Sequence, residues 1–322
     1  MRALLIAFLL LTTLQAQAQN QCAAAAQWTA PGSGRVEANE VLSRAARAQA
    51  VLLGESHENA DHHRWQLQTM AALLALQPKM LIGFEMFPRR LQGVLDSWVA
   101  GEFGEQEFLR ASEWNQVWGF DPALYLPLFH FARLNRIRML ALNVDNSLVR
   151  TVSLKGIAAI PLDKRENVSD PAPATEAYLN WLFPIYAEHR KGESSRNAPE
   201  FQLFVESQLL WDRALAQRLA EAAKAQPGTL VIGVMGSGHL LHGHGVPRQL
   251  KDLGIERVDK LLPWTPNQQC KDLTAAQPRR SLAFRNQGLQ PHARCWASPW
   301  KPLPTVCALR PLVATASPRL PA

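Results

Sequence analysis

The sequence predicts an α/β fold: a mostly parallel central sheet flanked by helices, with its active edge at the strand C-termini. Three observations lead there. Short apolar runs bounded by glycine recur, Val51-Leu52-Leu53-Gly54 and Val231-Ile232-Gly233-Val234 among them, and such runs read as strands buried on both faces. Segments of helical periodicity alternate with them, the pattern of parallel strands joined by crossovers. Two of the runs end in Gly-x-x-His, as Gly54-Glu55-Ser56-His57 and Gly236-Ser237-Gly238-His239, and loops leaving strand C-termini are where ligands sit in such folds.

Taken in order, the chain opens on Arg2, an apolar run from Ala3 to Leu11 and Ala16-Gln17-Ala18, the three parts of a secretory signal peptide over residues 1–18. That run is too short for a membrane span of roughly 20 residues, and no later segment is long and apolar enough, so an exported, periplasmic protein without a transmembrane segment is expected. Cys22 follows Gln19-Asn20-Gln21, which is not the small-residue context of an acylated cysteine, so lipoprotein anchorage is disfavoured. In an oxidising compartment Cys22, Cys270, Cys295 and Cys307 favour disulfides, with three pairings open; none has the C-x-x-C spacing of zinc ligands.

Residues 19–264 are expected to form the α/β domain. After a Pro/Gly/Ala lead-in comes a short helix, Asn39 to Arg47, then the first strand, Ala50 to Gly54. Asn59 to Leu76 places Trp65, Met70, Leu73 and Leu74 at helical spacing and stops at Gln77-Pro78. The second strand, Met80 to Phe87, is apolar except for Glu85, a carboxylate that is costly to bury unless paired, hydrogen-bonded or bound to metal. Trp98, Phe103, Phe108, Trp114, Trp118 and Phe120 follow, as core and lid packing or as a flat wall for a planar ligand. Asp121-Pro122 starts a helix to Arg136, and Met139 to Val144 is the third strand, carrying Asn143 near its end.

Residues 145–199, broken by prolines, read as an insertion or cover containing a helix, Ala174 to His189, with Tyr178 and Tyr186. Glu200 to Ala225 is a long amphipathic helix in which Asp212 falls between apolar residues. Thr229 to Met235 is the fourth strand, Gly245-Val246-Pro247 begins a helix to Leu253, and Arg257 to Leu262 is a final strand. Residues 265–322 are a basic, Pro-rich tail on which no structure is expected. Between Pro263 and Ala322 eight basic residues face one acid, which accounts for the whole net charge of +7. Neither a recognition helix nor an aromatic–basic ribbon accompanies that charge, so no nucleic-acid partner is expected.

If the strands are parallel, Glu55, His57, Glu85, Asn143 and His239 all arrive at one edge. Glu55, His57, Glu85 and His239 are therefore the candidate catalytic residues. His57, His239 and Glu85 suit a divalent metal ion that leaves a position open for water, and the same set without metal suits acid–base work by a histidine tuned by a glutamate. Ser56 and Ser237 carry no mark of a nucleophile. His62 and His63 read as helix-surface residues, while His242-Gly243-His244 is the better source of a secondary ligand.

The motifs Leu52 to His57, Phe84 to Phe87, Leu140 to Asn143, Trp211-Asp212, Gly236 to His239 and Gly243 to Pro247 together resemble the ChaN-like haem-binding uptake proteins of the Tiki superfamily. The resemblance runs in order from about Val51 to Trp264. It implies an exported, iron-regulated protein, often a lipoprotein, that binds haem as cofactor and partner, with a homodimer of two facing subunits as the assembly. It places Glu55, His57, Glu85 and His239 in the matching polar centre and, since haem iron accepts tyrosine or histidine, makes Tyr178, Tyr186, Tyr125 and His242 the ligand candidates. Related branches, the Tiki proteases and erythromycin-esterase-like enzymes, use the paired Gly-x-x-His motifs hydrolytically. The alternative function is thus a metal-dependent hydrolase of a peptide, ester or amide.

Overall fold

A computed structural model describes residues 26–31, 33–188, 194–264 and 281–285, which all fall in one compact unit. The expected signal peptide and all four cysteines lie outside the described residues. Strands are β1 (Trp28–Ala30), β2 (Gly34–Val36), β3 (Ala50–Glu55), β4 (Met80–Pro88), β5 (Met139–Asn143), β6 (Leu230–Gly236), β7 (Val258–Trp264) and β8 (Ser281–Arg285). The main helices are α1 (Ala38–Ala45), α2 (Ala60–Leu76), α3 (Gln92–Ala100), α4 (Glu105–Ala111), α5 (Trp114–Val117), α6 (Leu126–Leu134), α7 (Asn146–Lys155), α8 (Glu176–Glu188), α9 (Pro199–Ala225) and α10 (Val246–Asp252).

The strands form one sheet in the order β2-β1-β8-β7-β3-β6-β4-β5. From β8 to β5 every neighbouring pair is parallel, as expected; β1 pairs antiparallel with both β2 and β8. The chain steps from β3 to β4 to β5 in one direction and returns through β6 to β7 in the other. Right-handed crossovers must then place the helices of the two runs on opposite faces. They do: α1, α2, α3 and α6 pack over Val51, Leu53, Ile82, Phe84, Ile232 and Val234, whereas α9 and α10 pack over Ala50, Leu52, Leu81, Val231 and Met235. Successive strand residues thus alternate between two apolar cores, which is why the runs are continuously hydrophobic.

The return path has a consequence for the active edge. It threads β6 between β3 and β4, with Glu55 in register with Gly236. The ends carrying Glu55-Ser56-His57, Gly236 to His239 and Glu85 are therefore adjacent in space, although almost two hundred residues separate the first from the second in sequence.

The described residues between 145 and 199 include helices packed on the rest of the fold rather than an open cover. Helix α7 lies on α9, and α8, with Pro184 inside it, buries Tyr178, Leu182 and Tyr186 against Phe201, Val205 and Leu209 of α9. Two stretches given no strand by the sequence do contribute to the sheet, the hairpin β1–β2 in the lead-in and β8 beyond Trp264. Three- and five-residue strands carry too few side chains to show a period, and β8 forms between β7 and β1, where both its backbone edges find partners.

Candidate active site

Strand alternation sends Glu55 to the α2 face, where it is 2% exposed. There its carboxylate accepts hydrogen bonds from Gln66 Nε2, Tyr125 OH and His57 Nδ1, each 2.9 Å long. Burial would raise its pKa, but the hydrogen bond from His57 and the charges of His63 and His57 prevail and pull it down to about 2. A carboxylate that stays ionised can only accept, so His57 carries its proton on Nδ1. The His57 ring lies edge-on to Trp118, with centroids 4.7 Å apart, and 5.2 Å from Phe120. Burial acts to lower the His57 pKa, but Glu55 and Glu85 outweigh it and the pKa rises.

Glu85 points to the opposite face and is 1% exposed. Its Oε2 accepts from the Gly236 backbone N–H at 2.6 Å, and its Oε1 lies 3.3 Å from His239 Nε2. The other nitrogen of that ring, Nδ1, is 2.7 Å from Asp212 Oδ1 on α9. With a carboxyl group at each nitrogen, His239 is held as an imidazolium: burial opposes the charge, but Glu85 and Asp212 raise its pKa to about 10. Glu85 in turn is held ionised, the pull of His239 outweighing burial.

The two histidines are built alike. Tyr178 OH donates to Asp212 Oδ2 at 2.6 Å, as Tyr125 OH does to Glu55, and Trp211 lies edge-on to His239 at 4.8 Å, as Trp118 does to His57. Each Gly-x-x-His histidine thus has a carboxyl group at Nδ1, a tyrosine hydroxyl on that carboxyl and an indole against its ring. Glu85 and Gly236 stand between the two units. Glycine is required at 236 because a Cβ there would lie 2.9 Å from His57 Cε1, and at 245 because it would lie 2.6 Å from His239 O and 2.7 Å from Asp212 Oδ1.

All four expected centre residues, Glu55, His57, Glu85 and His239, are therefore brought together. Asn143 supports them from one step away, its Nδ2 donating to Glu85 O. His62 and His63 are not helix-surface residues; they are 4% and 3% exposed. Asn59 caps α2 through its side chain, which turns the first helical turn under the strand-end loop. His62 Nδ1 there accepts from Ser56 N, and His63 Nε2 lies 3.0 Å from His57 O. Tyr186 sits apart, in the α8–α9 cluster with Phe201 and Phe204. His242 lies on the loop after β6, its ring 6.1 Å from Trp181 and 5.7 Å from His244.

Sequence reasoning missed Gln66, Tyr125 and Asp212 as members of the centre. Asp212 left a signal, an acid among buried positions of an amphipathic helix, and Gln66 the same one on α2. Of the aromatics, Trp98, Phe108 and Trp114 are core, whereas Trp118 and Phe120 are half-buried and wall the His57 ring.

The donor set does not fit the expected divalent metal ion. Both nitrogens of His239 and the Nδ1 of His57 are committed to carboxyl groups, and among the described residues no three His, Cys, Asp or Glu side chains are grouped to hold an ion. What remains available is the Nε2 of His57, on a side chain 31% exposed, beside a fixed imidazolium and a backbone N–H. At the ends of β4 and β5 lies a cavity of about 170 Å³ lined by Met86, Asn143, Arg90, Glu113 and Asp145, none of the four centre residues among its lining.

A family of haem-binding uptake proteins of the Tiki superfamily, ChaN, matches residues 41–250. No curated protein sequence matches the chain. Among solved structures, that reported as cofacial haem binding to ChaN of Campylobacter jejuni superposes with a TM-score of 0.58 at 18% identity, covering 80% of this chain and 95% of that one. An erythromycin esterase, EreC, in its open conformation gives a TM-score of 0.44 at 14% identity, covering 74% and 77%. The C-terminal region of Pasteurella multocida toxin gives 0.43 at 13%, covering 71% and 25%. The first of these likenesses shows the fold; the other two are too distant to add to it.

Proposed function

Because this chain belongs to the ChaN family of haem-binding uptake proteins in the Tiki superfamily, we propose that it is an exported protein that binds haem in the service of iron uptake. The family match over residues 41–250 carries the reading. Export rests on the leader-like residues 1–18, and among the described residues no helix is long and apolar enough to cross a membrane. A second copy of the chain facing the first is the assembly this reading implies. Titration of the apo-protein with haemin, following the Soret band, tests the reading: a saturable shift at low micromolar haem is expected, and a linear, unsaturable response would sink it.

A second reading is supported by one observation, the free Nε2 of His57 beside the fixed charge of His239. That pair suits metal-free hydrolysis of a peptide, ester or amide: His57 would take a proton from an attacking water and return it to the leaving amine or alcohol as the acyl bond breaks, with the Gly236 to His239 turn facing the developing charge. Ester hydrolysis that persists in chelator and disappears in His57→Ala supports it; hydrolysis unchanged in that variant removes it.

A further inference from the structure

Four large hydrophobic side chains stand exposed among the described residues, Leu76, Leu134, Leu154 and Leu162. The first two are single residues at the ends of α2 and α6, as any protein surface carries. Leu154 and Leu162 are 66% and 61% exposed and bracket a stretch in which Ala158, Ala159 and Pro161 are exposed as well. Residues 154–162 thus turn five apolar side chains to solvent, where α7 ends and the chain enters two short 3₁₀ turns, Ile157–Ala159 and Leu162–Lys164.

This exposure is held in place by buried contacts. The Ile157 N–H donates to Glu206 Oε2 of α9 at 2.7 Å, which pins the entry to the stretch. Arg165, 7% exposed, donates from Nε to Ile160 O at 2.7 Å and from a terminal nitrogen to Ile157 O at 3.0 Å. Its guanidinium gathers the backbone from inside. Ile160 is buried in one cluster with Val152, Val168 and Leu210, and Ile157 packs against that cluster, so Ala158, Ala159, Pro161 and Leu162 are left outside.

The charge around the stretch has one sign. Between Asn146 and Lys164 three cations, Arg150, Lys155 and Lys164, face a single acid, Asp163, and all four are exposed. Asp163 lies 3.8 Å from Lys164 with both side chains in water, a pairing that competes weakly for the ammonium. No aromatic side chain of the kind that anchors a protein–protein hot spot lies between 154 and 164. Aliphatic side chains rimmed by lysine and arginine match a surface that is anionic on top and apolar beneath. The stems of Lys155 and Lys164 can lie along the apolar side chains while their ammonium groups reach phosphate.

We infer that residues 154–162 form a membrane-docking knob: Leu154 and Leu162, with the small residues between them, enter the headgroup–acyl boundary of an anionic phospholipid leaflet, and Arg150, Lys155 and Lys164 meet its phosphates. Such reversible contact needs neither an acylated cysteine nor a spanning helix, and it is independent of haem binding.

Flotation of the full mature chain with vesicles tests the knob, using phosphatidylethanolamine with phosphatidylglycerol, or phosphatidylcholine alone. Salt at about 0.15 M screens long-range attraction to the basic tail. Wild type should float with the anionic vesicles and not with the neutral ones. Leu154→Asp/Leu162→Asp should partition at least about tenfold more weakly. Lys155→Ser/Lys164→Ser should weaken binding and flatten its salt dependence. Leu134→Asp, at an isolated exposed leucine, should float as wild type. The substituted side chains are exposed, so unfolding midpoints and haemin titrations of the variants should match wild type, and the haem reading stands or falls separately. A wild type that does not float, or a double-leucine variant that floats as well as wild type, overturns the knob. So does a concentration-dependent dimer in sedimentation that the double-leucine variant abolishes, since a second copy would then cover the patch.

Discussion

Replacing Asp212 by asparagine tests how the centre is held together. The substitution keeps the shape and removes one of the two carboxyl groups that keep His239 charged. The His239 pKa is raised from 6.5 to about 10 in the folded protein. A group raised on folding contributes stability that is fully present below its unfolded pKa and is lost as pH rises through the folded value. Its contribution here is up to about 5 kcal/mol below pH 6.5, fading by pH 10, shared between Glu85 and Asp212. If Asp212 supplies about half, Asp212→Asn costs about 2–3 kcal/mol at about pH 6 and under about 1 kcal/mol at about pH 9.5. Urea unfolding of wild type and variant at the two pH values measures this directly. An equal loss at both, or less than about 0.5 kcal/mol at the lower, refutes the buried imidazolium.

Other perturbations probe the remaining contacts. Gln66→Leu removes the donor to Glu55 and to the carbonyls of Leu53 and Gly54, and should cost about 1–3 kcal/mol in denaturant melts at neutral pH. Glu55 is depressed from 4.5 to about 2, so its contribution is present above pH 4.5 and lost as pH falls toward 2; Gln66→Leu should therefore move the acid-unfolding midpoint to higher pH. Gly236→Ala drives a methyl into His57 and should destabilise by about 1–3 kcal/mol and shift the His57 imidazole resonance. Burial lowers Lys260 from 10.5 to about 8, so wild type should gain stability as pH rises from 8 to 10.5, and Lys260→Met should be up to about 3 kcal/mol more stable near neutral pH and lack that gain.

The parts of the fold that were legible in the sequence share a property: their residues are buried by period. Strands buried on both faces print continuous apolar runs, so β3 to β7 were readable, and the same logic exposed Glu85 and the two Gly-x-x-His motifs as polar breaks in buried context. What stayed hidden depends on three-dimensional order. Nothing local states that β6 lies between β3 and β4, yet this insertion is what closes the centre. Tyr125 lies in a turn between helical segments and Gln66 on a helix, where one polar residue at a buried position looks like ordinary scatter until its partner is known. His62 and His63 were misread because a cap at Asn59, not periodicity, decides which way the first turn of α2 faces. Strand β8 follows from an open edge at β7 and not from its own five residues.

The most direct measurement is haem and mass analysis of one sample, the protein recovered from the periplasmic fraction of cells grown with haem. A chain that has lost residues 1–18 and carries haem, quantified as the pyridine haemochrome, is expected. A full-length, haem-free chain retained in the cytosol would contradict it.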